Sequence, residues 1–143
     1  MDEMELFKVV HSELLMSMQY LEQDLKIIFA TIKDGRFDDN YEILADAPLG
    51  KVLKEFRKLD KEKGFAKIKP KDYELLEEIR EIRNYWAHQC YLDFHYIEDL
   101  QEKYEAFQDV KERLHYDEQR VYDLQQRMEK LRISIAKKYR RSR

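Results

Sequence analysis

The sequence predicts an all-α domain. Three observations carry this: 40% of the residues are charged, the 143 residues include only three glycines and two prolines, and apolar residues recur at three- and four-residue steps along most of the chain. A chain of this length holds one hydrophobic core of useful size, with little left over for a second.

The first helix is expected from about Asp2 to Ile32, where Leu6, Val9, Leu14, Met18, Leu21, Leu25 and Ile28 repeat at helical spacing. The cluster DGRFDDN, residues 34–40, combines Gly, Asp and Asn and is read as the turn that ends it, with YEILA as a short turn beyond. Pro48 can open a second helix as its first residue, running to Lys63 and stopped by Gly64, with Leu49, Val52, Leu53, Phe56 and Leu59 as its buried stripe. A third helix starts near Pro70 and carries RNYWAH, residues 83–88; FHY, residues 94–96, is the weakest point after it. From Ile97 onward Leu100, Tyr104, Phe107, Leu114, Val121, Leu124, Met128, Leu131 and Ile135 follow a heptad-like pattern with a skip near Leu114. A helix over 97–138 is about 63 Å long at ~1.5 Å per residue. Three shorter helices cannot cover that length, so the pattern predicts pairing with a second chain or a fold-back near His115 to Asp117. The expected organisation is a helical bundle over 1–96 and a long helical, coiled-coil-forming extension over 97–143.

The single Cys90 cannot form an intramolecular disulfide, acidic residues at positions 2, 3 and 5 do not fit a secretory signal, and no apolar run is long enough to span a membrane. These features predict a cytoplasmic protein with no membrane partner. The net charge of −3 hides an asymmetry: residues 127–143 hold eight Lys/Arg against one Glu, or +7, leaving −10 on residues 1–126. A basic end made of Lys137, Lys138, Tyr139, Arg140 and Arg141 suits an anionic partner such as RNA, the lysines and arginines meeting phosphates and the tyrosine stacking on a base. It equally suits a solvated helix end whose cations complement the helix dipole.

RNYWAH places unusual chemistry on its helix. At ~100° per residue, Leu75, Ile79, Ile82, Trp86 and Cys90 share one arc, and Arg83 falls within it. A guanidinium turned toward a core needs a carboxylate from another helix or an anionic ligand. His88 lies about 140° round from Arg83, with Asn84 one turn before it, so Asn84 and His88 can touch. On a straight helix Arg83 and His88 cannot both grip one small group from one chain. Either the helix kinks around Tyr85 to Ala87, or a second copy completes the site. His88, Cys90, Asp93 and His95 lack the paired spacing of structural zinc sites, so no metal is assigned; no cofactor motif is present either.

Arg83-Asn84-Tyr85-Trp86-Ala87-His88 resembles the R-N-x-x-x-H form of the Arg-x4-His motif of HEPN domains, small helical proteins that include ribonuclease toxins of prokaryotic defence and toxin–antitoxin systems. The resemblance covers roughly residues 1–100. It implies a four-helix bundle with the motif late in the domain, followed here by the long C-terminal helix. It also implies metal-independent cleavage of RNA to 2′,3′-cyclic phosphate and 5′-OH ends, a homodimer or higher homo-oligomer in which two motifs line one cleft, and in toxin members an antitoxin partner. The family's H-x-Y continuation is absent, since Tyr91 stands three residues after His88.

The residue types fit that chemistry. Such cleavage needs a base for the 2′-OH, an acid for the departing 5′-oxygen and a cation for the growing charge on phosphorus. Imidazole is the side chain that can both accept and give a proton, which makes His88 the candidate base or acid; Arg83 matches two phosphate oxygens, and Asn84 can orient the imidazole or hold a phosphate oxygen. Tyr91 and the basic end are the remaining candidate RNA contacts. The competing expectation, from a different class, is a non-catalytic helical module that docks partners through its coiled-coil stem.

Overall fold

The structure, a computed structural model, describes residues 1–142 and the side chains up to residue 139. The helices are α1 (Glu3–Ile32), α2 (Phe37–Leu44), α3 (Leu49–Lys63), α4 (Pro70–His88) and α5 (Leu100–Ser142), and no strand occurs among the described residues. The chain is an all-α bundle with a long C-terminal helix.

Local chemistry sets most of the boundaries. Asp2 and Glu5 form a reciprocal capping box at the start of α1, the Asp2 carboxylate accepting from the Glu5 N–H at 2.7 Å. Pro48 is the cap just before α3 rather than its first residue, and Gly64 ends that helix in the left-handed conformation at φ 59°. Pro70 opens α4 at its first position. The Asp99 carboxylate accepts from the N–H groups of Gln101 and Glu102 at 2.9 and 3.0 Å, starting α5 three residues later than the apolar pattern indicates.

The segment read as turn after α1 contains a helix. α2 occupies Phe37–Leu44, and the true turn is confined to residues around Gly35, whose φ is 105°. Eight residues do not hold a helix by propensity alone. Packing does it: Leu44 is fully buried, and the buried Asn40 amide reaches back to the carbonyls of Ala30, Lys33 and Asp34 at 3.0 to 3.3 Å. Those are carbonyls at the C-terminus of α1 that have no partner within the helix.

Pairings across the bundle give its topology. α2 is tied to the second half of α1 (Gln23 with Tyr41, Lys26 with the Ala45 carbonyl), and α3 meets α4 antiparallel (Arg57 with Glu77, Asp60 with Tyr73). α4 runs antiparallel to α5, with Trp86, Glu78 and Asp72 matched to Asp117, Arg120 and Arg127. α5 is parallel to α1: Glu3 pairs with Lys111 at 3.2 Å and Asp24 with Arg132 at 2.8 Å, the same offset of 108 residues at both ends. α3, α4 and α5 therefore alternate in direction, and the last closes the bundle against the first.

That closure corrects the expectation for the heptad region. α5 is one helix of 43 residues with no break at His115 to Asp117, and its largest interface is with α1. Leu114, Val121, Leu124, Met128 and Ile135 are buried within the single chain and join the same hydrophobic core as Leu14, Leu21, Phe56 and Trp86. The length problem is solved by a parallel partner of 30 residues, together with the turn after α4 at one end and the loop after α3 at the other. The described part of α5 thus supplies an integral wall of the bundle.

Candidate nuclease site

RNYWAH forms the last turn and a half of α4, which stays α-helical to His88, with the Gln89 N–H closing onto the Tyr85 carbonyl at 2.9 Å. The helix is not interrupted at Tyr85 to Ala87. Trp86 anchors the motif: it is 1% exposed, and its indole N–H donates to the buried Asp117 carboxylate of α5 at 2.9 Å. Arg120 holds Asp117 from the other side at 2.9 Å and extends to Glu78 at 3.0 Å. This clamp fixes the rotation of α4 about its axis, and with it the directions of the neighbouring side chains.

The end of α4 has a second fastening. The carbonyls of a helix's last turn have no intrahelical donor. The Trp86 carbonyl receives the His11 Nε2–H at 2.6 Å, and the Cys90 thiol donates to the same oxygen at 3.5 Å. Because a carbonyl only accepts, His11 carries its proton on Nε2 here. Phe7 lies parallel to the His11 ring at 6.2 Å between centroids, while Tyr91 packs edge-on to both Phe7 and His11. Tyr91 is therefore a half-buried member of the aromatic cluster at this end, and burial pushes its phenol pKa up. Burial likewise raises the Cys90 thiol. Sequence reasoning passed over His11; the available signal was an imidazole at the edge of the inner stripe of α1, between Phe7 and Leu14.

Arg83 takes the partner that spacing allowed for: its guanidinium donates to Glu22 of α1 at 3.0 Å, and about a third of its side chain remains open to solvent. Lys26 stands 3.8 Å from the other Glu22 oxygen, so Arg83 shares that carboxylate with a second cation. Asn84 and His88 are exposed, and neither has a hydrogen-bond or ion-pair partner among the described residues. Between them Tyr85 is turned away: its hydroxyl donates to Asp93 at 2.6 Å, and the Arg113 guanidinium sits 3.5 Å from its ring centroid. Burial, then the Asp93 bond, raises the Tyr85 pKa; the bonds from Gln89 and then Tyr85 lower that of Asp93.

One chain thus presents Asn84 and His88 on an open helical face, with Arg83 at its inner edge facing α1. The geometry permits proton exchange with a solvent-side ligand at His88 and phosphate contact at Arg83, with Asn84 available to either. No group of three or more His, Cys, Asp or Glu residues among those described is arranged to hold a metal ion.

The other predicted contacts lie far from this face. Lys137 is exposed, whereas Lys138 and Tyr139 line a cavity at the opposite end of α5. Arg140 and Arg141 fall outside the described side chains. No helix among the described residues is long and apolar enough to cross a membrane. The class defined by fold and site is a five-helix bundle with an Arg/Asn/His set at the C-terminus of its fourth helix. No protein-family model, curated protein or solved structure matches the chain.

Proposed function

We propose that this protein is a metal-independent endoribonuclease of the HEPN type. The observation that carries the reading is the open pair Asn84 and His88 one helical turn apart, next to a guanidinium held by a single shared carboxylate. Both side chains face solvent without a protein partner among the described residues and so are free to meet a ligand, in a helix end that is otherwise fastened at Trp86, Tyr85 and Cys90.

In this reading His88 removes the proton of the 2′-OH, whose oxygen bonds to the adjacent phosphorus as the P–O5′ bond breaks, and the protonated imidazole so formed returns a proton to the departing 5′-oxygen. The products are a 2′,3′-cyclic phosphate and a 5′-OH end. Arg83 neutralises the charge that grows on the non-bridging oxygens, exchanging its Glu22 partner for phosphate, and Asn84 orients the imidazole or the phosphate. α4 is unbroken through the motif, so the 140° between Arg83 and His88 calls for two chains at one phosphate, Arg83 from one protomer and His88 from its partner.

The test uses labelled RNA with EDTA present. Wild-type protein cleaves; Arg83→Ala and His88→Ala each abolish cleavage, and their effects do not add because the groups act as a unit. Mixing the two inactive variants restores about a quarter of wild-type activity if sites are independent, since about half of randomly exchanged dimers are mixed and each holds one intact site. Cleavage retained in both single variants refutes the reading. That outcome favours the alternative of a non-catalytic docking module, for which the Arg83–Glu22 ion pair is the supporting observation.

A further inference from the structure

We infer that the outer face of α3 is a docking surface for the phosphodiester backbone of a nucleic-acid strand, which it leads toward Asn84 and His88. Positive charge is gathered there: residues 51–71 hold nine Lys/Arg against three Asp/Glu, or +6, while the rest of the chain carries −9. α3 buries Leu49, Val52, Leu53, Phe56 and Leu59, so its other positions face water. Lys51, Lys54, Lys58 and Lys61 fall within an arc of ~80° on that outer side at ~100° per residue. All four are exposed, and none has an ion-pair or hydrogen-bond partner among the described residues. Like charges three or four residues apart on a helix repel one another, and a polyanion laid along the stripe relieves those repulsions together.

The acids of this region leave the stripe open. Arg57 adjoins the arc on the side of α4 and takes up Glu77 at 2.9 Å. Asp60 is occupied on the inner side, where it accepts from the Ala66 N–H at 2.8 Å and from the Tyr73 hydroxyl. Glu55 and Glu62 lie ~20–40° beyond Lys51, past the edge of the arc that faces away from α4. Lys63, paired with Asp34, stands outside the stripe.

The stripe runs toward RNYWAH. Arg57 with Glu77 and Asp60 with Tyr73 set the register of the two antiparallel helices, and extending it places Lys61 level with Tyr73, Lys54 with Arg80 and Lys51 with Arg83. Asn84 and His88 lie ~20° to either side of Glu77 around α4, on the strip that adjoins α3, and His88 is ~8 Å beyond the level of Lys51 at ~1.5 Å per residue. Arg80, on the α3 side of that strip, is exposed and without an ion-pair partner among the described residues, so it joins the four lysines. Glu74 and Glu81 stand further round α4, away from α3, where like charge holds a polyanion to the α3 side. That the docked strand is the one cleaved rests on the nuclease reading; the docking rests on charge and geometry alone.

Fluorescence anisotropy on the full-length protein tests the docking, with a labelled 2′-O-methyl RNA strand that lacks the attacking hydroxyl and stays intact. Log affinity should fall linearly with log salt, by about 0.7 per phosphate neutralised on a single strand. Lys54→Gln combined with Lys58→Gln should weaken binding about ten-fold or more at about 0.1 M NaCl and make that slope shallower by about 1.4. Lys8→Gln combined with Lys130→Gln removes the same charge from exposed positions on α1 and α5 and should stay within about two-fold of wild type. His88→Ala should bind as wild type does. The inference is overturned if wild type does not bind the strand, if the α3 variant, shown folded by its thermal melt, loses no more affinity than the control pair, or if polyglutamate of equal length displaces the strand at equal concentration, which would assign the face to an acidic protein. Cleavage of unmodified RNA is scored separately. Lysine-dependent binding without cleavage removes the nuclease reading and leaves the docking surface, whereas cleavage with a KM untouched by the α3 substitutions does the reverse.

Discussion

Removing the Asp117 carboxylate tests whether the candidate site is held by the clamp on Trp86. In Asp117→Ala the indole N–H, on a residue 1% exposed, loses its only acceptor. A buried donor left unpaired costs about 1–3 kcal/mol. Arg120 loses its 2.9 Å partner but keeps Glu78, and because it is partly exposed that loss adds at most about 1 kcal/mol. The sum is about 1–4 kcal/mol. Asp117→Asn keeps an oxygen where the indole needs one and forfeits mainly the charge opposite Arg120, for about 1 kcal/mol. With a urea m value of about 2 kcal/mol/M, the alanine variant should unfold up to about 2 M earlier than wild type and the asparagine variant about 0.5 M earlier. Trp86 is the only tryptophan, so its fluorescence reports unfolding and, before unfolding, any loosening of α4. If the alanine variant lies within about 0.5 kcal/mol of wild type, or the asparagine variant is equally damaged, the clamp argument fails.

Further outcomes follow from burial and charge. Burial and then the like charge of Glu13 hold the Glu118 pKa above its ordinary value, so the charged form is disfavoured in the fold. Glu118→Gln should be more stable than wild type at pH 7 by a fraction of a kcal/mol after solvent screening, and the advantage should fade as pH falls through the raised value toward about 4.3, where wild type is protonated in both states; an advantage that grows on acidification contradicts this. The buried Cys90 thiol, with its pKa raised, should react with a thiol reagent at pH 7.5 only at the rate at which the protein opens, so denaturant should accelerate labelling sharply. Leu124→Asn places an amide at a fully buried position against α1 and should cost about 3 kcal/mol or more of monomer stability. Sedimentation of that variant should show loss of fold rather than dissociation of a folded dimer into folded monomers.

How much of this was legible in the sequence can be judged element by element. α1, α3 and the start of α4 were read within a residue or so because their signals are local, namely a three-and-four apolar repeat, a proline at the start and Gly64 at a stop that demands positive φ, whereas the end of α4 at His88 precedes the break read at residues 94–96. The all-α class followed from the same signals. So did the need of Arg83 for a counter-charge, since a guanidinium on an apolar arc cannot remain alone, although α1 and Glu22 as its source were not readable.

What only the tertiary structure decided depends on residues distant in sequence. α2 exists because Leu44 is buried and Asn40 caps α1, and neither fact appears in the run of Asp, Asn and Gly that reads as a turn. The heptad repeat of α5 states that one face must be covered and is silent on what covers it. An a/d stripe packs as well on a parallel helix of its own chain as on a second copy, and the offset of 108 residues between α1 and α5 has no local signature. The same holds for the grip of His11 on the Trp86 carbonyl and for the lysines and aromatic rings that two separate segments bring around one cavity. Periodicity and capping are set by neighbours along the chain and can be read there, whereas pairing between elements is set by the free energy of burying whole faces together, which the fold alone decides.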